Sequence, residues 1–152
     1  MKHKQKNKKE DTLKDLQRIP KNQLDTVFRE AHDRVFKTFD CLTCANCCKT
    51  TSPIFTKADI ERLAKLFRVR VNDFIDQYLY LDDEEDYVLK SAPCPFLLPD
   101  NKCFVYAERP MACREYPHTN RKNMQQILSL TVKNKDVCPA VEQILTQIIV
   151  KK

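Results

Sequence analysis

The chain has 152 residues, eight cysteines and no glycine, with 27 basic against 21 acidic side chains and a net charge of +6. That length suits one domain able to bury a core, and 42% hydrophobic residues lies within the globular range. The missing glycines exclude glycine-rich phosphate loops and dinucleotide-binding turns, where backbone lacking a Cβ must approach phosphate, so no nucleotide cofactor is expected.

Five of the 27 basic residues, Lys2, Lys4, Lys6, Lys8 and Lys9, precede Glu10, and the remaining 22 nearly balance the 21 acidic ones. Residues 1–10 therefore read as a disordered basic tail ahead of a domain over residues 11–152. Such a tail could touch nucleic acid through counterion release. No basic stripe interleaved with aromatics follows it, so nucleic acid is not an expected partner. No apolar run follows the lysines, and no stretch is long enough to span a bilayer. The expectation is a cytoplasmic protein with no membrane contact.

Leu13, Leu16 and Ile19 predict a short helix stopped by Pro20. Asn22 caps a longer one, in which Leu24, Val27, Phe28, Ala31, Val35 and Phe39 form one apolar stripe. His32 lies beside that stripe and reads as an edge histidine, not a ligand. Thr56, with Asp59 three residues later, is a capping signature before Ile60, Leu63, Ala64 and Phe67. Asn72 starts a third face with Phe74, Ile75, Tyr78 and Leu79. The acidic run Asp82-Asp83-Glu84-Glu85-Asp86 lacks the alternation and turn glycine of a calcium loop, so it reads as a solvated turn.

Tyr87-Val88-Leu89-Lys90 predicts a strand. Phe96-Leu97-Leu98 and Cys103-Phe104-Val105-Tyr106 flank Pro99-Asp100-Asn101-Lys102, a hairpin turn in which Asp or Asn takes the left-handed conformation. Pro110 suits the first turn of a short helix through Glu115, closed by Pro117. Residues 127–132 alternate enough for a strand, and Pro139 opens a last helix with Val141, Ile144, Leu145, Ile148 and Ile149 buried. The expected fold is mainly α with a small β-hairpin element (α+β), a single compact domain organised around a cysteine metal site.

Eight cysteines in a reducing compartment point to metal rather than disulfides. Cys41, Cys44, Cys47 and Cys48 follow C-x2-C-x2-C-C; Cys94, Cys103, Cys113 and Cys138 are scattered behind them. Two intervening residues let the chain curl so that thiolates converge, as in zinc knuckles and iron–sulfur loops. Three cysteines so spaced, with Cys94-Pro95 and Cys138-Pro139 each offering a later cysteine before proline, match a 4Fe-4S ligand pattern. A tetrahedral zinc site more often pairs two C-x2-C knuckles, and the second is missing. Zinc stays open as the alternative.

Adjacent side chains diverge, so Cys47 is expected to join Cys41 and Cys44 while Cys48 faces a second site or supports the first. The thiols could build two four-cysteine sites, or one site with structural thiols left over. Arg109 and Arg114 could offset thiolate charge; pairing with Glu108 and Glu115 is the plainer role. His118 could substitute for one cysteine.

The runs 41–48, Cys94-Pro95-Phe96-Leu97, Cys103-Phe104-Val105-Tyr106 and Arg109-Pro110-Met111-Ala112-Cys113-Arg114-Glu115-Tyr116-Pro117 resemble the YkgJ-type CxxCxxCC cysteine-cluster family. The resemblance spans residues 41–138 and implies zinc or iron chelation through the eight cysteines. A similar cluster in larger flagellin lysine methylases resembles an iron–sulfur site. The absence of glycine around the cysteines departs from the common pattern.

The residues reveal no acid–base or nucleophile constellation beyond the metal site. A redox or cluster-carrying module, or a subunit of an unidentified protein partner, heads the functional readings. A zinc-stabilised interaction domain, an iron–sulfur oxidoreductase and an accessory to protein methylation follow. Radical chemistry on S-adenosylmethionine is excluded, because C-x3-C-x2-C is not present.

Overall fold

The computed structural model describes the backbone of residues 2–150 and side chains from residue 7 to 150. In chain order the helices and strands are α1 (Lys2–Gln17), α2 (Lys21–Phe36), α3 (Cys41–Cys44), α4 (Asn46–Thr50), α5 (Lys57–Phe67), α6 (Val71–Tyr78), β1 (Leu79–Leu81), β2 (Tyr87–Leu89), α7 (Met111–Glu115), α8 (Leu128–Asn134) and α9 (Pro139–Val150). The mainly α architecture with one small antiparallel hairpin is the expected one. The chain divides into two compact units: Cys41–Tyr116 forms one, and Met1–Asp40 with Pro117–Lys152 forms the other.

In the unit built from both ends of the chain, α2 packs on α9, and α1 packs on α8 and α9. Leu24, Phe28, Ala31 and Val35 are buried from α2, and Ala140, Val141, Ile144, Leu145 and Ile148 from α9. Both are the stripes that helical periodicity picks out. Pro20, not Asn22, caps α2. Helix α1 begins at Lys2, inside the segment read as a tail, because no proline or glycine interrupts its lysines and glutamines. Met1 and the side chains of Lys2, Lys4 and Lys6 lie outside the described residues.

The strand expected over residues 127–132 is instead the start of α8. Met124, Leu128 and Val132 fall four apart on one buried face, and Thr131 Oγ1 donates to Ile127 O (2.9 Å), a bond between turns of a helix. Asp25 on α2 receives the N–H groups of Asn123 (2.8 Å) and Met124 (2.9 Å), tying down the turn that leads into α8. Those two bonds hold its carboxyl below the ordinary carboxylate range. His32 Nδ1 meets Thr119 Oγ1 at 2.8 Å beside the Phe36 ring, and burial lowers its pKa. It is a packed histidine at the edge of the α2 stripe.

In the other unit, α5 and α6 pack together, and β1 pairs with β2 in the register Leu79↔Leu89, Tyr80↔Val88, Leu81↔Tyr87. Leu79, expected as the end of a helical face, is the first residue of β1 and is buried there. The core joins Phe55, Ile60, Leu63, Ala64, Phe74 and Phe96, with Phe67 and Tyr78 packed against it. Phe74 lies 5.0 Å from Tyr78 and 6.0 Å from Phe67, centroid to centroid. Such a dense aromatic set gives a rigid floor to the loops that leave it.

The acidic run forms the hairpin turn, as expected. Asp82 Oδ1 accepts from Glu84 N (2.9 Å) and Asp86 N (3.0 Å), and Glu85 turns left-handed at φ 63°. The second hairpin, expected around residues 99–102, shrinks to a single bridge between Leu97 and Cys103. Asn101 sits at its tip with φ 67°, in the conformation that its side chain tolerates.

Candidate metal centre

The first cysteine run is two short helical turns. Cys41 and Cys44 bracket α3, Ala45 reverses the chain at φ 52°, and Cys47 and Cys48 lie in α4. Ala45 occupies a position where glycine would be less strained, and the residue is 3% exposed. The cysteine loop thus reverses without glycine by burying an alanine.

A main-chain bond links the two cysteine groups: Cys94 N donates to Cys48 O at 2.7 Å. Asn101 Nδ2 reaches Thr43 O at 3.4 Å from the Leu97–Cys103 loop. Cys113 lies in α7, its N–H donating to Pro110 O at 3.0 Å. Cys44, Cys47, Cys48, Cys94, Cys103 and Cys113 are all partly buried thiols, and Cys41 is exposed.

Electrostatics shows which thiols share surroundings. The Cys47 thiol donates to Cys48 sulfur, which pushes Cys47 up; burial and the charges of Cys48, Cys113 and Cys41 add to this. The same bond lowers Cys48 to about 7. Burial, followed by the charges of Cys48 and its fellow thiols, pushes Cys113 up to about 12. Burial likewise takes Cys94 to about 11, with Cys48 and Cys103 contributing, and raises Cys103 near Cys48. Cys41, Cys47, Cys48, Cys94, Cys103 and Cys113 therefore form one linked electrostatic neighbourhood. The expected divergence of Cys47 and Cys48 is not found, because a short helical turn leaves both sulfurs within reach of each other.

Beside Lys49, whose charge adds to the lowering of Cys48, Arg109 is a cation of this neighbourhood. Its charge opposes the upward shifts of Cys103 and Cys113. Its guanidinium lies 3.9 Å over the Tyr106 ring and donates to Tyr106 O at 2.9 Å, which fixes its place. Arg114 differs: it donates to Ala107 O (2.7 Å) and Arg109 O (3.1 Å), so it braces the main chain. Glu108 pairs with Arg62, at 3.1 Å, a residue that periodicity offers no reason to single out. The position of Arg62 three residues after Asp59 is the one local signal that could have found it, and the two pair at 2.8 Å.

Cys138 belongs to the other compact unit, where it precedes α9 and is buried at 7% exposure, with its N–H donating to Asn134 O at 2.8 Å. His118 also lies in that unit and takes a left-handed φ of 63°.

Among the described residues, no group of three or more His, Cys, Asp or Glu converges as a ready-made ion site. The donors nevertheless fit a thiophilic metal by chemistry and by number. Thiols held above their ordinary pKa, by burial first and by one another's charge after it, are protonated at neutral pH, and a bound cation would take the place of those protons.

A helical scaffold that draws thiols from distant parts of the chain into one electrostatic neighbourhood defines a small cysteine-cluster protein. The chain belongs to the CxxCxxCC family, described as "Putative zinc- or iron-chelating domain", whose model matches residues 40–139. That match takes in all eight cysteines. No curated protein and no solved structure matches the chain. No helix among the described residues is long and apolar enough to cross a membrane.

Proposed function

We propose that the chain holds an iron–sulfur cluster, of the 4Fe-4S type, through thiolates of the Cys41–Tyr116 unit, and serves as a redox or cluster-carrying module or as the subunit of a partner protein. The observation that carries this reading is the linked neighbourhood of six thiols. A tetrahedral zinc ion takes four ligands, so six thiols in one electrostatic neighbourhood favour a polynuclear centre. Cys94, whose amide bonds to Cys48 O, is followed by proline, as the closing ligand of such clusters often is. Cys41, Cys44, Cys47, Cys48, Cys94, Cys103 and Cys113 are the candidate ligands in this unit, with Cys138 the eighth candidate. Bound, the cluster would supply one-electron chemistry, and the protein's part would be to exclude water and hold Arg109 against the thiolate charge.

Zinc is the second reading, supported by the turns at Cys41–Cys44 and Asn46–Thr50, which resemble a knuckle. Protein purified without oxygen should be brown, with iron and acid-labile sulfide in equal amounts. Colourless protein carrying zinc and no sulfide would replace the cluster with the zinc reading.

A further inference from the structure

Helix α5 reaches across to the segment that delivers Cys113. Asp59, 2% exposed, pairs with Arg62 one turn later. From there Arg62 Nη2 donates to Glu108 O (3.2 Å) and Arg109 O (3.0 Å), and its Nε lies 3.1 Å from Glu108 Oε2. Asp59 Oδ1 accepts from Met111 N at 3.2 Å. Two side chains from one helix thus grip the main chain on both sides of Pro110, whose carbonyl receives the Cys113 amide at 3.0 Å. Arg114 holds the same turn from the other direction through Arg109 O.

We propose that Asp59 and Arg62 are a positioning pair that sets Cys113 against the other thiols. The proposal rests on the chelation reading above. A planar guanidinium can bond a carboxylate and two carbonyls at once, whereas a lysine ammonium is a point charge that cannot span them. Groups that hold metal ligands in place commonly govern affinity as strongly as some ligands do. The pair Arg70–Asp73, with its shortest contact at 2.8 Å, has the same spacing at the start of α6 but is exposed, and among the described residues its side-chain bonds stay within the pair. It serves as the control.

The test uses cobalt(II) with the full-length, metal-free protein, reading the thiolate-to-metal charge-transfer absorbance, alongside alkylation of each cysteine followed by mass spectrometry. Arg62→Lys and Asp59→Asn should weaken cobalt binding about 10- to 100-fold and lower the charge-transfer absorbance per ion. Arg70→Lys should change neither. In a Cys113→Ser background, Arg62→Lys should cost nothing further, because the ligand it positions is gone. In metal-free protein, both variants should speed alkylation of Cys113 selectively. Cobalt affinity equal to that of the parent, fully additive losses with Cys113→Ser, or a rise in alkylation shared by every cysteine would overturn the proposal. If the parent protein binds no cobalt through sulfur, the chelation reading fails, and the selective alkylation of Cys113 then decides the positioning role by itself.

Discussion

Replacing Asp59 by alanine removes four bonds at once, and the structure gives a size for the loss. Asp59 Oδ2 accepts from Thr56 N (2.9 Å) and Thr56 Oγ1 (2.7 Å), and Oδ1 accepts from Arg62 Nη2 (2.8 Å) and Met111 N (3.2 Å). Breaking the reciprocal cap of α5 costs about 1 kcal/mol. Orphaning the Met111 amide costs about another 1 kcal/mol, and the charge-assisted bond to Arg62 contributes about 1.5 kcal/mol. Water compensates part of the last, since Arg62 is 32% exposed. The expected destabilisation is about 3 kcal/mol at neutral pH, read by urea unfolding of the metal-free protein.

Its pH dependence has a definite sign. Burial pulls the Asp59 carboxyl upward, yet the bonds from Thr56, Arg62 and Met111 outweigh it and hold the group below its ordinary value of 3.8. A depressed carboxyl stabilises fully above its unfolded pKa, and that stability is lost as pH falls below 3.8 through the folded value. The gap between parent and Asp59→Ala should therefore narrow on acidification below that point. A loss under about 1 kcal/mol at pH 7, or a gap that stays constant into acid, would refute the reasoning.

Three further outcomes follow from packing and backbone. Phe74→Ala, at a position 0% exposed within the aromatic floor, should cost about 3–5 kcal/mol and flatten the near-ultraviolet dichroism of the core. Arg68→Gly should stabilise by about 0.5–1 kcal/mol, because exposed Arg68 ends α5 in the left-handed conformation at φ 57°; unchanged or lower thermal stability would contradict this. In metal-free protein near neutral pH, Cys48 should alkylate before Cys94 and Cys113, since the bond from Cys47 holds it at about 7 while burial puts the others at about 11 and about 12.

What the sequence reveals about this fold depends on how local the cause is. The cap at Thr56 and Asp59, the stripes of α2 and α9 and the acidic turn are each set by residues within a few positions of one another, and all are legible. Residues 127–132 misled because their apolar positions partly alternate and Ile127, Thr131 and Val132 favour strands, whereas burial of Met124, Leu128 and Val132 at helical spacing decides the outcome. Leu79 looked like the end of a helical face because its partner, Leu89, lies ten residues away across a turn. The division into two units leaves no linker to read, since the unit Cys41–Tyr116 begins five residues after Phe36, the end of α2, and Pro117 directly follows its last residue.

The candidate site was half legible. Its donor residues stand out by type and spacing, and so does Arg109 beside Cys113. The grip of Arg62 on Glu108 and Arg109 arises from contacts across 46 and 47 positions that no local pattern encodes, and the grouping of Cys47 and Cys48 with Cys113 likewise joins distant parts of the chain. The missing glycines suggested strained loops around the cysteines. Ala45, Asn101 and four other residues take left-handed φ in their place.

X-ray absorption at the metal edge of the natively loaded protein tests the central claim most directly. The account predicts a first shell of sulfur alone, at about 2.3 Å, that loses sulfur when Cys48 or Cys94 is replaced by serine. A shell dominated by nitrogen and oxygen, or one unchanged by either substitution, would contradict it.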